Sequence, residues 1–368
     1  MDFGREFDST ELRRHCGSKQ QVARITSFDL NDGRERGVRC LDFHTGSGFN
    51  FTVVPDRCMD IAFAEFQGRN LAWLSPTSIV APEYYEPQGW NWIRGFFGGL
   101  LTTCGLVNVG VPDNHKNEPI GAHGRISYTP ATNVSHDVFW VGEELHMVAR
   151  GEMREVRPPH TNMVLRRTIH AIAGQRHVEI RDRVINESPE KTPHQILYHI
   201  NAGFPIVGAT SHFVAGTRSV TPRDDASADA KELFRMCQGP TQSYTEKVYY
   251  HEVVGCSDGR CAAAVVNPDL DGGTGLYVKY DPRTLPTLVQ WKMMGEGMYV
   301  VGIEPANTYG IGMERMRALG LLKTLAPEEE VEYRVEIGVL KGAEEIQAFE
   351  SYALKDAPTE PDYASILV

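Results

Sequence analysis

At 368 residues, with 41% apolar and 23% charged side chains, the chain carries ample material for a large folded core and is too apolar for a disordered one. Its formal charge of −11 comes without a long Lys/Arg block, so a polyanion is repelled and nucleic-acid binding is disfavoured. The seven cysteines include no C-x-x-C pair; they read as reduced, buried thiols, neither a disulfide frame nor a zinc site.

The opening MDFGREFDSTELRR has charges throughout and no apolar stretch, so no secretory signal is expected and the expected location is cytoplasmic. Asp8-Ser9-Thr10-Glu11 reads as a helix cap with an acidic first turn, and Gly17 follows the basic end. Strands are predicted over 49–54 and 61–66. Residues 95–112 carry no charge, but only nine of the 18 are large apolar residues or Cys and five are Gly. That composition predicts a buried glycine-rich segment instead of a membrane span. A strand is predicted over 145–150, and those over 163–170 and 177–185 flank Ala-Ile-Ala-Gly-Gln-Arg as a hairpin. Further strands are predicted over 195–200, 261–266, 276–280, 288–292 and 331–339, the last in clear alternation. Short helices are predicted over 228–236 and 343–352. Asp269-Leu270-Asp271-Gly272-Gly273 lacks the other carboxylates of a calcium loop and reads as a turn. Many strands, 35 Gly and 21 Pro, few helices and no βαβ alternation define an all-β chain. The expected architecture is one large antiparallel sandwich spanning 1–368, with a short N-terminal helix and a C-terminal tail.

No nucleotide-binding glycine loop, zinc-protease helix or nucleophile elbow is present. Polar residues in apolar strands remain. His199 lies in Ile196-Leu197-Tyr198-His199-Ile200-Asn201-Ala202-Gly203-Phe204-Pro205, and Glu304 in Tyr299-Val300-Val301-Gly302-Ile303-Glu304-Pro305-Ala306-Asn307-Thr308. A carboxylate after Val-Val-Gly-Ile is costly to bury unless it is partnered or used. Pro305 is expected to end the strand, which would set Glu304 at the mouth of a cleft. Singly each residue has an ordinary explanation, a satisfied core histidine and a solvated strand end; together they form an acid and base pair. Ala122-His123-Gly124-Arg125 puts His123 and Arg125 on one face if extended. Arg94 and Arg57 add guanidinium groups suited to carboxylates or vicinal hydroxyls. Trp291-Lys292 offers an indole face beside a cation, though a core Trp with a snorkelling Lys fits as well.

In their order and separation, Gly98-Gly99, His123-Gly124-Arg125, His199 before Asn201-Ala202-Gly203-Phe204-Pro205, and Glu304-Pro305-Ala306-Asn307-Thr308 resemble the aldose 1-epimerase (galactose mutarotase-like) superfamily. Arg94-Gly95, the run from Gly98 to Leu106 and Trp291-Lys292-Met293-Met294-Gly295 resemble an uncharacterised branch of it. The resemblance implies a β-supersandwich with a sugar groove and an isomerase that opens and recloses a reducing sugar without a cofactor or metal. It implies His199 as general acid on the ring oxygen, Glu304 as general base on the anomeric hydroxyl, and His123 and Arg125 as sugar contacts. Arg94, Arg57, Trp291 and Lys292 join them as expected substrate-binding residues. The pair is expected to act from opposite sides of the ring, with apolar walls raising the pKa of Glu304 and Lys292 limiting the rise. Ile200-Asn201-Ala202-Gly203 departs from the aromatic pair and leucine that follow the histidine in better-known members.

Two other readings are carried. One is a carbohydrate-binding or sensor protein on the same scaffold that moves no proton. The other is a metal enzyme using His115, His123, His199 and a carboxylate, against which stands the absence of H-x-H and H-x-x-H spacing. A glycosidase needs two facing carboxylates, and only one is nominated. The expected partner is a small-molecule sugar, neutral or anionic, with neither nucleic acid nor membrane; a homo-oligomer is left open.

Overall fold

The computed structural model describes residues 9–116 and 118–365; the expected helix cap Asp8 lies outside them. Alternating apolar strands pair into two large sheets, one of twelve strands and one of eight. The centre of the larger runs, in spatial order, Asp60–Phe66, Leu101–Leu106, Gln195–Ala202, Met298–Ala306, Thr287–Gly295 and Lys247–Val253. Between the described strands pairing is antiparallel except for two residues of Thr217–Pro222 beside Asp362–Tyr363. The smaller sheet contains the predicted hairpin, Thr161–Ile172 with His177–Asn186, followed in space by Glu330–Lys341. The Asp269–Gly273 region is the turn between Cys261–Asn267 and Thr274–Tyr280, as expected.

One face of each strand fills the space between the sheets and the other does separate work. Along Gln195–Ala202, Ile196, Tyr198, Ile200 and Ala202 belong to the inter-sheet core, with Val301 and Ile303 from the next strand. On the opposite face Leu197, Val289, Val300, Tyr250 and Ala306 meet a second apolar cluster, made with Trp73, Trp92, Phe96, Val109 and Tyr128 from long connections. The uncharged stretch 95–112 is buried from Gly95 to Gly110, as expected.

A polar bolt crosses the inter-sheet core. Arg167, fully buried, donates to Asp182 Oδ1 and Oδ2 (2.8 and 2.6 Å), Asp60 Oδ1 (2.8 Å) and Thr103 Oγ1 (2.8 Å). Tyr198 donates its hydroxyl to Asp182 over 2.7 Å. Two carboxylates, one guanidinium and two hydroxyls thus satisfy one another where no water reaches.

Two expectations need correction. The helix over 228–236 breaks into Asp225–Ala228 and a three-ten turn at Lys231–Leu233. The carbonyls that would continue it are used elsewhere: Leu233 and Met236 accept from Lys292 Nζ, Phe234 from Gln290 and Arg235 from the Phe213 N–H. Pro305 does not end its strand, which runs on to Ala306. The proline stands inside a gap in the ladder, where its missing N–H is not needed.

Candidate functional site

That gap builds the site. Strands Gln195–Ala202 and Met298–Ala306 pair at Leu197↔Ala306 and again at Ile200↔Ile303. The same register sets His199 opposite Glu304, on the face away from the inter-sheet core. His199 Nε2 and Glu304 Oε1 lie 3.3 Å apart. Both residues are nearly closed off, 7% and 4% exposed. Phe96 and Trp291 set their rings 5.2 and 5.4 Å from the His199 imidazole, and Trp73 braces Trp291 edge-on at 5.7 Å.

In so dry a chamber the charged forms are disfavoured. Burial, helped by the repulsion of a protonated His123, lowers the His199 pKa to about 3. Burial pushes Glu304 well above the usual carboxylate range; Glu246 raises it further and Arg223 opposes the rise. Burial thus favours a neutral imidazole on His199 and a protonated carboxyl on Glu304. The cation that limits the rise is Arg223, not Lys292.

His123 reaches the same chamber from the Gly121–Gly124 turn. Its φ of +56° is held by backbone bonds, from His123 N to Gly110 O and from Gly105 N to His123 O, 3.0 Å each. Next to it Gly124, at φ +69°, cannot be replaced: a Cβ there would stand 2.3 Å from Gly105 O. The His123 ring packs 4.5 Å from Trp92 and 6.2 Å from His199, and burial lowers its pKa to about 4.

The sequence-predicted residues divide. His199, Glu304, His123 and Trp291 come together. Lys292 does not: strand alternation turns it to the opposite face, where its ammonium serves the carbonyls of Leu233 and Met236. Nor does Arg57, which is fully buried and donates to the carbonyls of Ser127, Val80 and Gly95 between the Phe97 and Tyr128 rings. Arg94 is a surface residue, its side chain 70% exposed, beside Asn91 and Glu86. Arg125 stands over Tyr85 in a separate small cavity with His115 and Glu155. The 123–125 segment is a turn, not extended, so the two side chains part.

Sequence reasoning missed Glu246, Arg223 and Asn201. The Trp291 indole N–H donates to Glu246 Oε2 over 2.8 Å, and Arg223 bonds Glu246 Oε1 at 2.8 Å. No local motif flags Glu246 in Tyr244-Thr245-Glu246-Lys247; only the fold brings it to Trp291. Among the described residues no group of three or more His, Cys, Asp or Glu is arranged to hold a metal ion. Among the described residues no helix is long and apolar enough to cross a membrane. A cavity of about 850 Å³ lies elsewhere, on the smaller sheet, lined by paired charges such as Arg260–Glu336 and Arg283–Asp281.

The sandwich and the buried pair define a class before they define a member, and that class is the mutarotase-like fold. A family model described as Domain of unknown function (DUF4432) matches residues 35–339, and the chain belongs to that family. Among solved structures it is similar to a candidate aldose 1-epimerase from Klebsiella pneumoniae subsp. pneumoniae MGH 78578, at 24% identity and TM-score 0.88, over 94% of this chain and 92% of that one. It is also similar to a galactose mutarotase-like protein from Clostridium acetobutylicum (12% identity, TM-score 0.61, 87% and 99% covered). A galactose 1-epimerase from Lactobacillus acidophilus NCFM follows at 13% identity and TM-score 0.55, again with 87% and 99% covered. No curated protein matches the chain.

Proposed function

We propose that this protein interconverts the anomers of a reducing sugar by acid–base ring opening. The observation that carries the reading is the contact of His199 with Glu304, a base and an acid 3.3 Å apart in an aromatic chamber. Ring opening takes a proton from the C1 hydroxyl and gives one to the ring oxygen, and both oxygens are bonded to the same carbon. A side-by-side pair can therefore address both at once; a pair on opposite sides of the ring is not required. Neutral His199 accepts the hydroxyl proton as the Glu304 carboxyl donates to the ring oxygen and the C1–O bond breaks. After rotation about C1–C2 the imidazolium returns a proton to the carbonyl oxygen, and the carboxylate takes one from the ring hydroxyl. Both groups end as they began. In this order histidine starts as base and glutamate as acid, the reverse of the roles that the family resemblance implies.

Trp291 supplies a face for the sugar ring, while Glu246, braced by Arg223, supplies acceptors for hydroxyls. Because the pair is capped by Phe96 and Trp291, binding requires that aromatic cover to part. Exchange NMR or polarimetry on a panel of reducing sugars tests the proposal. Wild type should accelerate anomerisation, and Glu304→Gln and His199→Asn should each lose ~10²–10⁴-fold, with sugar affinity within a few-fold. Sugar binding without acceleration by wild type would establish the carbohydrate-binding reading instead.

A further inference from the structure

One polar group beside His199 has no role in the scheme so far. Asn201 follows at i+2 on the same strand and so lies on the same face. Both of its amide N–H donors are occupied, by Gly99 O at 3.0 Å and by His199 O at 2.9 Å. These bonds determine which end of the amide is oxygen, because both neighbours are carbonyls and only NH₂ can serve both. The remaining atom, Asn201 Oδ1, is buried without a hydrogen-bond partner, and so is His199 Nδ1. The other His199 nitrogen, Nε2, faces Glu304. The Phe96, Trp291 and, farther off, His123 rings stand around the imidazole.

We propose that Asn201 is the positioning residue of His199, its Oδ1 accepting the Nδ1–H so that Nε2 alone gains and loses the proton. Two buried orphans of complementary character on adjacent same-face residues are a costly arrangement unless they serve each other. Which nitrogen of a histidine carries the proton is set by the hydrogen bond that the other makes. An amide oxygen accepts from Nδ1–H whether the ring is neutral or cationic, so the contact survives the whole cycle. The direction of its effect on the ring agrees: the proximity of Asn201 favours the protonated imidazole, partly offsetting burial. With Nδ1–H fixed, the Nε2 lone pair is left on the side of the Glu304 carboxyl, 3.3 Å away. With the other tautomer, Nδ1 would hold a buried, unused lone pair.

The inference rests on the proposed proton transfer only for its kinetic consequence; the tautomer itself is read without any substrate. Nitrogen-15 NMR of the full-length protein with labelled histidine, near pH 7, should show His199 protonated at Nδ1 and unprotonated at Nε2. Asn201→Leu should move the proton to Nε2 or mix the two forms, and Asn201→Ala, which removes the same acceptor with less bulk, should do likewise. On a sugar that wild type turns over, Asn201→Leu should lower kcat by at least about tenfold, part of the ~10²–10⁴-fold due to a positioned proton-transfer group. KM should stay within about threefold, and Asn201→Ala should lower kcat in the same way. A wild-type ring protonated at Nε2, or an unchanged tautomer in Asn201→Leu, overturns the inference. Should Asn201→Leu fail to fold, the wild-type and Asn201→Ala spectra decide it. A wild type with the expected tautomer but no anomerase activity would retain the inference and overturn the proposed function alone.

Discussion

The indole N–H of Trp291 donates to Glu246 Oε2 over 2.8 Å, which ties the wall of the His199 chamber to a carboxylate that Arg223 grips from its other oxygen. Glu246 repels a negative Glu304 and attracts a positive His123, so it raises the proton affinity of both. Glu246→Gln keeps the shape of the indole contact and removes the charge. The Glu304 pKa should then fall, and the limb of the pH–rate profile that it governs should move to lower pH. A profile superimposable on wild type would place Glu246 outside the electrostatics of the pair.

Arg57 and Lys292 separate stability from binding. Arg57 is fully buried with three carbonyl acceptors and two aromatic faces. Arg57→Met would leave Ser127, Val80 and Gly95 with unpaired carbonyls at about 1–3 kcal/mol each before relaxation. The expected outcome is a large fall in the urea midpoint, with kcat and KM of the folded fraction near wild type. Lys292→Met should behave likewise and more mildly, since Leu233 and Met236 lie in a partly exposed turn. A selective rise in KM at unchanged stability would instead return either residue to the sugar site.

The bolt under the His199 strand has a graded series. Tyr198→Phe removes one hydroxyl from Asp182, which keeps Arg167, and should cost about 1–2 kcal/mol. Arg167→Ala leaves Asp60 and Asp182 facing each other in the core without their cation, a loss of about 3–5 kcal/mol. Chemical denaturation should give that order. Equal losses would mean that Tyr198, not Arg167, organises the cluster.

What was legible in the chain follows from which signals are local. Alternation along 331–339 and the Ala-Ile-Ala-Gly-Gln-Arg turn are local, and the strands Glu330–Lys341, Thr161–Ile172 and His177–Asn186 form where they point. The isolation of His199 and Glu304 in apolar runs is local too, and it identified the pair. The cations were misjudged because charge carries no direction. Arg57 and Lys292 read as ligand contacts until the fold turns one into a closed carbonyl cage and the other onto the reverse face of Trp291. Asn201 could have been found, since His-x-Asn within a strand puts both on one face. Glu246 could not, because its partners Trp291 and Arg223 are 45 and 23 residues away.

Glu155 provides a test of burial by pH alone. Its Oε2 accepts the Leu106 N–H at 2.8 Å, and burial raises its pKa from 4.5 to about 7, against the pull of that bond and of Arg125. Between those values the folded carboxyl keeps a proton that the unfolded chain has released. Its contribution to stability is therefore complete below about pH 4.5 and is lost as pH rises through 7. Glu155→Gln retains an acceptor for Leu106 and does not titrate. Relative to wild type, the variant should gain stability with rising pH across that window, by at most about 1.4 kcal/mol per unit. Urea unfolding at pH 5 and pH 8 measures it: the difference between the proteins should shift in favour of glutamine at the higher pH. Parallel pH dependences would mean that the Glu155 carboxyl is ionised in the folded protein, and that Arg125 outweighs its burial.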